Sequence, residues 1–243
     1  MSNSLSSIDV LILCGGLGTR LSRVIPDRPK GLAPVGGKPF LDILVDDLLQ
    51  QGFQRMIFCV GHLKEQIIER YQSHKDADFL FSQEDMPLGT GGAILNALPL
   101  IRSHLVLIIN GDSICPVNFA EFHEFHLDRL ASVSLVLARP EDRHDGGVVS
   151  LNDVHQIKSF TEKSKSIASE CFINAGIYLI KRDVIELQAL APPFSLEYDV
   201  LPELVRTKPC FGFVVKSRLV DIGTPERYLK ANSENNSGFE NTW

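Results

Sequence analysis

Immediately after a short apolar run the chain reads Gly15-Gly16-Leu17-Gly18-Thr19-Arg20. Glycines at those places let backbone N–H groups approach an anion with no side chain in between, and a helical turn after them adds its positive end. Arg20 offers a planar fork suited to two phosphate oxygens. The same composition also makes a plain turn. It is not a Walker A sequence, since no Gly-Lys-Ser/Thr closes it, nor a dinucleotide fingerprint, because the third glycine of GxGxxG falls on Leu21. Further on, Lys30 sits in a loop stiffened by Pro26, Pro29, Pro34 and Pro39, so a second cation can reach the same phosphate chain. Asp112 follows Asn110-Gly111 at the end of another apolar run, and Asp221 precedes Ile222-Gly223-Thr224. Each suits a turn or a helix cap. The pair also suits Mg²⁺, a hard cation that takes oxygen ligands and keeps waters and substrate phosphates in its shell.

These residues need elements to hold them. The apolar run at 9–13 predicts a fully buried strand, followed by a helix from 40 to about 51 that Gly52 stops, a strand at 55–60, a helix at 63–71, a strand at 79–82, a helix from 92 to 98 and a strand at 105–110. Strands alternating with helices across short loops imply right-handed crossovers and a parallel sheet with helices on both faces. Loops 14–20 and 110–112 then fall at the carboxyl ends of strands, where open α/β sheets bind ligands. From 132 onward, strand-like runs at 132–138, 148–151, 157–160 and 173–180 predict a mixed-sheet subdomain. The expected division is one domain over 1–230, with a nucleotide-binding half at about 8–130, a sugar-binding half at about 131–230 and a frayed tail at 231–243.

Composition narrows the class. With 243 residues, 44% hydrophobic and 22% charged, the chain can bury a sizeable core and is not disordered. A formal net charge of −6 argues against a nucleic-acid binder. Within that acidic chain, residues 1–38 carry Arg20, Arg23, Arg28, Lys30 and Lys38 against Asp9 and Asp27, which suits a small anionic ligand. The five cysteines form no CxxC pair, so neither a disulfide framework nor a zinc site is expected. No signal pattern and no long apolar run is present, so the expected setting is cytoplasmic, with no membrane partner. His123 and His126, among Glu121, Glu124 and Asp128, read as part of a solvated helix face.

The order of motifs along the chain is more telling than any one of them. LxCGGxGTRL and PKxLxPVxxKP are followed by residues 84–93 (EDMPLGTGGA), Asn110-Gly111-Asp112, Phe160-Thr161-Glu162-Lys163, residues 174–178 (NAGIY) and residues 221–225 (DIGTP). This series, up to about Tyr228, resembles the signature of the sugar-phosphate nucleotidyltransferases, which join a nucleoside triphosphate to a sugar 1-phosphate and release pyrophosphate. The PLGTGGA segment, residues 195–199 (SLEYD) and the short length without a C-terminal β-helix are most similar to the bacterial branch that guanylylates D-glycero-α-D-manno-heptose 1-phosphate. Mannose 1-phosphate guanylyltransferases and glucose 1-phosphate thymidylyl- or cytidylyltransferases are near relatives of that branch.

The resemblance implies the nucleotide-diphospho-sugar transferase fold, a Rossmann-like, mostly parallel sheet with a mixed-sheet acceptor subdomain. It also implies GTP and a sugar 1-phosphate as partners, Mg²⁺ as cofactor, and leaves room for a homo-oligomer. Implied nucleotide contacts are Leu13, Gly15, Gly16, Gly18, Thr19, Arg20, Lys30, Thr90 and Gly111, with Gln83, Leu88 and Gly89 forming the base pocket. Arg20, Lys30, Asp112 and Lys163 carry the chemistry, and Asp112 and Asp221 become metal ligands. Glu162, Lys163, Asn174, Gly176 and Glu197 face the sugar phosphate. Gly31 departs from the pattern, which often has proline there, and is expected to loosen the loop. Two readings of other kinds compete. A catalytically silent nucleotide-sugar binder has no chemical need for Arg20, Lys30, Asp112, Lys163 and Asp221 together, and a nicotinamide-dependent oxidoreductase lacks its fingerprint.

Overall fold

The computed structural model describes residues 5–140, 146–162, 171–186 and 190–235. In chain order the elements are β1 (Asp9–Leu13), β2 (Pro34–Val35), β3 (Lys38–Pro39), α1 (Phe40–Gln50), β4 (Arg55–Val60), α2 (Lys64–Tyr71), β5 (Asp78–Gln83), α3 (Gly89–Ala97), β6 (Leu105–Asn110), β7 (Ser113–Ile114), α4 (Phe119–Asp128), β8 (Val133–Ala138), β9 (Val148–Leu151), β10 (Ile157–Thr161), β11 (Phe172–Lys181), α5 (Arg182–Glu186), α6 (Leu201–Thr207), β12 (Cys210–Val214), β13 (Val220–Asp221) and α7 (Pro225–Asn235). A π-helical turn, Leu196–Val200, precedes α6.

A nine-stranded sheet runs through the molecule in the order β10-β9-β11-β6-β1-β4-β5, with β8 on β11 and β12 on β8. β6, β1, β4 and β5 are parallel, as the alternation of strands and helices predicts. β11 runs antiparallel to β6, and the remaining strands make the sheet mixed. Both faces of the centre are covered. Val10 and Ile12 join the core on one face and Leu11 the core on the other, and β6 divides in the same way between Leu107 and Ile109, and Val106 and Ile108. This is why these strands are unbroken apolar runs rather than alternating ones.

Three expectations need correcting. Helix α3 begins at Gly89 and not at 92. Its glycines are poor helix formers, but tertiary packing recruits them: the Gly91 and Gly92 N–H groups donate to the Phe194 carbonyl at 3.0 and 3.3 Å. A side chain at Gly89, where φ is +75°, would stand 2.3 Å from that oxygen. Next, His123 and His126 are buried rather than solvated. They share the face of α4 that meets β8, where His126 Nδ1 lies 2.9 Å from Ser134 Oγ, while Glu121 and Glu124 point to solvent. Burial holds the His126 imidazole down at about 4. Finally, residues 231–235 are not frayed but continue α7, with Ala231 buried and Asn232 Oδ1 accepting the Gly36 N–H at 3.2 Å. Residues 236–243 of the expected tail lie outside the described ones.

Candidate active site

The parallel strands end together. Leu13 is level with Asn110 and with Cys59, and the Gly111 N–H donates to the Leu13 carbonyl at 2.9 Å. Above this edge lies a cleft of about 480 Å³, the size of a small-molecule site. Leu13, Gly15, Gly16, Gly18, Thr19, Arg20, Lys30, Gly89, Thr90, Gly111 and Asp112 all line it. A single concave surface therefore gathers the glycine loop, both cations and one aspartate.

Asp221 arrives by a short antiparallel pairing of β13 with β7, which sets it opposite Ser113, and the Ile222 N–H donates to the Asp112 carbonyl at 3.1 Å. Around Gly223 the charges converge: a methyl group there would lie 2.8 Å from Asp221 Oδ1, 3.4 Å from Lys30 Nζ and 3.9 Å from an Arg20 nitrogen. Lys30 Nζ is bound to Asp112 Oδ2. Arg227 pairs with Asp221 at 3.3 Å, and the Gly223 N–H donates to Asp221 Oδ1 at 2.7 Å. Among the described residues no cluster of three or more His, Cys, Asp or Glu could cage a metal. Two hard carboxylates beside this cleft fit Mg²⁺, which binds through one or two carboxylates and completes its shell with water and substrate phosphates.

The expected loosening at Gly31 is not seen. Gly31 is buried in a 3₁₀ turn, Lys30–Leu32, closed by the Ala33 N–H on the Lys30 carbonyl at 3.0 Å, and a side chain there would approach the Gly111 carbonyl to 3.2 Å. The base-pocket expectations divide. Gly89 lines the cleft, whereas Gln83 is exposed, its carbonyl accepting Asn96 Nδ2 at 3.1 Å. Leu88 stands just outside the lining as the residue before α3, its carbonyl accepting the Phe194 N–H at 3.0 Å.

The expected sugar residues form a second constellation. Asn174 Nδ2 donates to the Tyr178 hydroxyl at 2.7 Å, and that hydroxyl donates to Glu197 Oε1 at 3.3 Å. Glu197 Oε2 accepts from Thr90 Oγ1 at 2.6 Å and from Ser195 Oγ at 2.9 Å. Burial, then the nearby Glu197 charge, push the Tyr178 phenol far above its ordinary range, so it stays a donor. This chain of hydroxyls ties α3 in the cleft to β11. Gly176 packs on Asn110, which lines the cleft, and its N–H donates to Asn174 Oδ1 at 3.1 Å. Glu162 stands beside Gly147, with Oε2 2.8 Å from where a side chain on Gly147 would begin. Lys163 lies outside the described residues.

Three site residues escaped the sequence reading. Gly61, just past β4, crosses under the glycine loop, where a methyl group would lie 2.7 Å from the Gly15 carbonyl oxygen. A glycine at the carboxyl end of a parallel strand was the available signal. Glu84 lines the cleft one position after Gln83. Arg227, which neutralises Asp221, carried no signal at all.

Fold and site together define a family, and comparison with known proteins agrees. The chain belongs to the nucleotidyl transferase family, which it matches over residues 9–238. It is 34% identical over 229 residues to the D-glycero-α-D-manno-heptose 1-phosphate guanylyltransferase of Aneurinibacillus thermoaerophilus, covering 93% of this chain and 98% of that one. To the mannose-1-phosphate guanylyltransferase of Mycobacterium tuberculosis it is 31% identical over 232 residues, covering 93% of this chain but 64% of the relative. The crystal structure of HddC from Yersinia pseudotuberculosis superposes with a TM-score of 0.81 at 35% identity, over 93% of this chain and 99% of that one, and HddC has also been solved complexed with GMP-PN.

Proposed function

We infer that the chain transfers GMP from GTP to D-glycero-α-D-manno-heptose 1-phosphate, giving GDP-heptose and pyrophosphate. The observation that carries this is the convergence of Arg20, Lys30, Asp112 and Asp221 on one cleft, in a chain matched nearly end to end by a heptose 1-phosphate guanylyltransferase. A phosphate oxygen of the sugar attacks the α-phosphorus in line; the new P–O bond forms as the bond to pyrophosphate breaks. Little covalent work falls to the protein, so positioning and charge neutralisation dominate.

In this reading the backbone of Gly15, Gly16, Gly18 and Thr19 cradles the triphosphate, and Arg20 takes up the charge that moves to pyrophosphate. Lys30, held at the cleft by Asp112, faces the α-phosphate. Asp112 and Asp221 would hold Mg²⁺, which when bound neutralises phosphate oxygens that would otherwise repel the incoming sugar phosphate. Lys163, with Glu162 and Asn174, is assigned to the sugar phosphate. Glu197, whose carboxylate is already engaged by Thr90, Ser195 and Tyr178, positions α3 and Asn174 in place of the sugar contact expected from sequence. The reading places the nucleotide in the half at about 8–130, the sugar in the half at about 131–230, and the enzyme in the cytoplasm; no helix among the described residues is long and apolar enough to cross a membrane.

Pyrophosphate release with Mg²⁺ is the test, comparing GTP, ATP, CTP and UTP against the heptose, mannose and glucose 1-phosphates. The expected result is strongest turnover with GTP and the heptose substrate, lost in Asp112→Asn and on chelation of the metal. Turnover with no combination overturns the enzymatic reading in favour of a silent binder, and a preference for mannose 1-phosphate moves the substrate to that of the Mycobacterium relative.

A further inference from the structure

The corner of the cleft assigned to the metal already holds charge of both signs. Lys30 Nζ is bound to Asp112 Oδ2, and Arg227 Nη1 lies 3.4 and 3.3 Å from the two carboxylate oxygens of Asp221. Arg20 and Lys30 both reach toward Gly223, beside Asp221 Oδ1. In this group three cations, Arg20, Lys30 and Arg227, face two carboxylates, Asp112 and Asp221, which leaves a positive surplus. Such a corner repels a free divalent cation. A triphosphate reverses the sign, because its negative oxygens outweigh the surplus and compete with Asp112 for Lys30.

Of the three cations, Arg227 is the one whose place needs a reason. Arg20 and Lys30 line the cleft and are taken up by phosphate in the guanylyltransferase reading, whereas Arg227 is not among the lining residues. It stands in the first turn of α7, where the helix dipole disfavours a cation. Thr224 fixes that turn, its hydroxyl accepting the Arg227 N–H at 3.4 Å and its carbonyl the Tyr228 N–H at 2.9 Å. The turn delivers the guanidinium to Asp221, whose side chain is only 10% exposed. One guanidinium nitrogen makes both carboxylate contacts, so the pair uses the charge of Arg227 and not its fork. The Gly223 N–H, 2.7 Å from Asp221 Oδ1, remains to aim the carboxylate when that charge is removed.

We propose that Arg227 is a positioning residue that holds Asp221 in the metal's stead, so that the divalent cation is taken up together with the nucleotide and not by the free protein. The proposal rests on the assignment of Asp112 and Asp221 to Mg²⁺ made above. By linkage, whatever affinity the metal gains from the nucleotide the nucleotide gains from the metal, which couples the two in one binding event. Free divalent cation then does not pre-empt the corner that the triphosphate must enter.

Electron paramagnetic resonance of Mn²⁺, whose sharp signal in water is lost when the ion binds protein, tests this without turnover. The wild type should bind Mn²⁺ weakly, and Arg227→Gln should bind it about tenfold more tightly, as expected when one like charge leaves a partly exposed site. Arg227→Lys keeps the charge and should match the wild type. Asp221→Asn added to Arg227→Gln should abolish the gain. A merely structural brace predicts an unchanged or weakened affinity in Arg227→Gln, and either result overturns the proposal, as does a gain that survives Asp221→Asn. Should the glutamine variant fail to fold, Arg227→Met keeps the apolar stem and removes the same charge, with the same outcomes deciding. Calorimetry with α,β-methylene GTP, which cannot transfer GMP, separates this idea from the reading beneath it. Mn²⁺ that fails to tighten nucleotide binding to the wild type refutes the metal assignment and this proposal with it. A wild type that shows the tightening, beside an Arg227→Gln variant with unmoved Mn²⁺ affinity, removes only the role of Arg227.

Discussion

Asp9 and Glu84 are both shielded carboxylates on the parallel part of the sheet, one at its amino edge and one at its carboxyl edge. At Asp9 burial alone would raise the pKa, but the Ser103 and Arg102 N–H groups and the Arg55 guanidinium outweigh it and the carboxyl titrates low. Arg55 approaches Asp9 at 2.9 Å and also reaches Asp78 at 2.9 Å. Glu84 has one backbone donor and titrates high. The amino edge surrounds its carboxylate with the protein's own donors and gains rigidity, whereas the carboxyl edge leaves acceptor capacity open toward the cleft.

Breaking the satisfied site should have the largest effect. Asp9→Ala leaves the Arg102 and Ser103 N–H groups without their acceptor and Arg55 with Asp78 as its remaining partner, and denaturant titration should show a loss of about 3 kcal/mol, the low end for severed buried pairs. Activity per folded molecule should be retained, because Asp9 lies at the edge remote from the cleft. Acid extends the comparison to a third buried group. His126 has a folded pKa of about 4, below its ordinary 6.5, so the native state binds fewer protons than the unfolded chain between those values. Stability should therefore fall as pH drops from 6.5 toward 4, by up to about 3 kcal/mol, and His126→Gln should flatten that slope. The Asp9 contribution has the other window: it is present above the unfolded value of 3.8 and is lost as pH falls through the lower folded value.

Gly61→Ala probes the carboxyl edge. The added methyl must displace the Gly15 carbonyl, at a cost of about 1–3 kcal/mol, and should raise the KM for GTP roughly tenfold while leaving that for the sugar phosphate nearly unchanged. The smallest effect carries the opposite sign. Glu84→Gln removes a carboxylate whose folded pKa is raised, a group that destabilises the fold as pH rises past its ordinary value. The variant should be more stable than the wild type at neutral pH by up to about 1 kcal/mol in thermal unfolding, and a loss of stability would mean that the carboxylate serves the fold through its bond to Leu88.

What the sequence disclosed follows from how local each feature is. The loop from Gly15 to Arg20 and the Asp112 turn each follow directly on an unbroken apolar strand, so a parallel sheet brings them to one edge automatically. The pairing of Asp221 with Ser113 joins strands of only two residues each, too short for any periodicity; its place came from motif resemblance alone. Choosing between Gln83 and Glu84 depends on which of two consecutive side chains turns inward where β5 ends, and one shift in alternation reverses the answer. His123 and His126 were misread because their acidic neighbours face solvent while the histidines face β8, a partition that appears only once the partner strand is known.

Helix α7 gives the cleft a history in time. The Tyr228 hydroxyl donates to the Pro34 carbonyl at 2.8 Å across a sequence separation of 194 residues, on the hairpin that follows Lys30. A ribosome therefore emits the glycine loop, Lys30 and Asp112 long before Asp221 and the helix that braces them. Contacts of such range are slow to close, so the nascent chain carries an unfinished cleft edge until the segment from Asp221 to Tyr228 has been made.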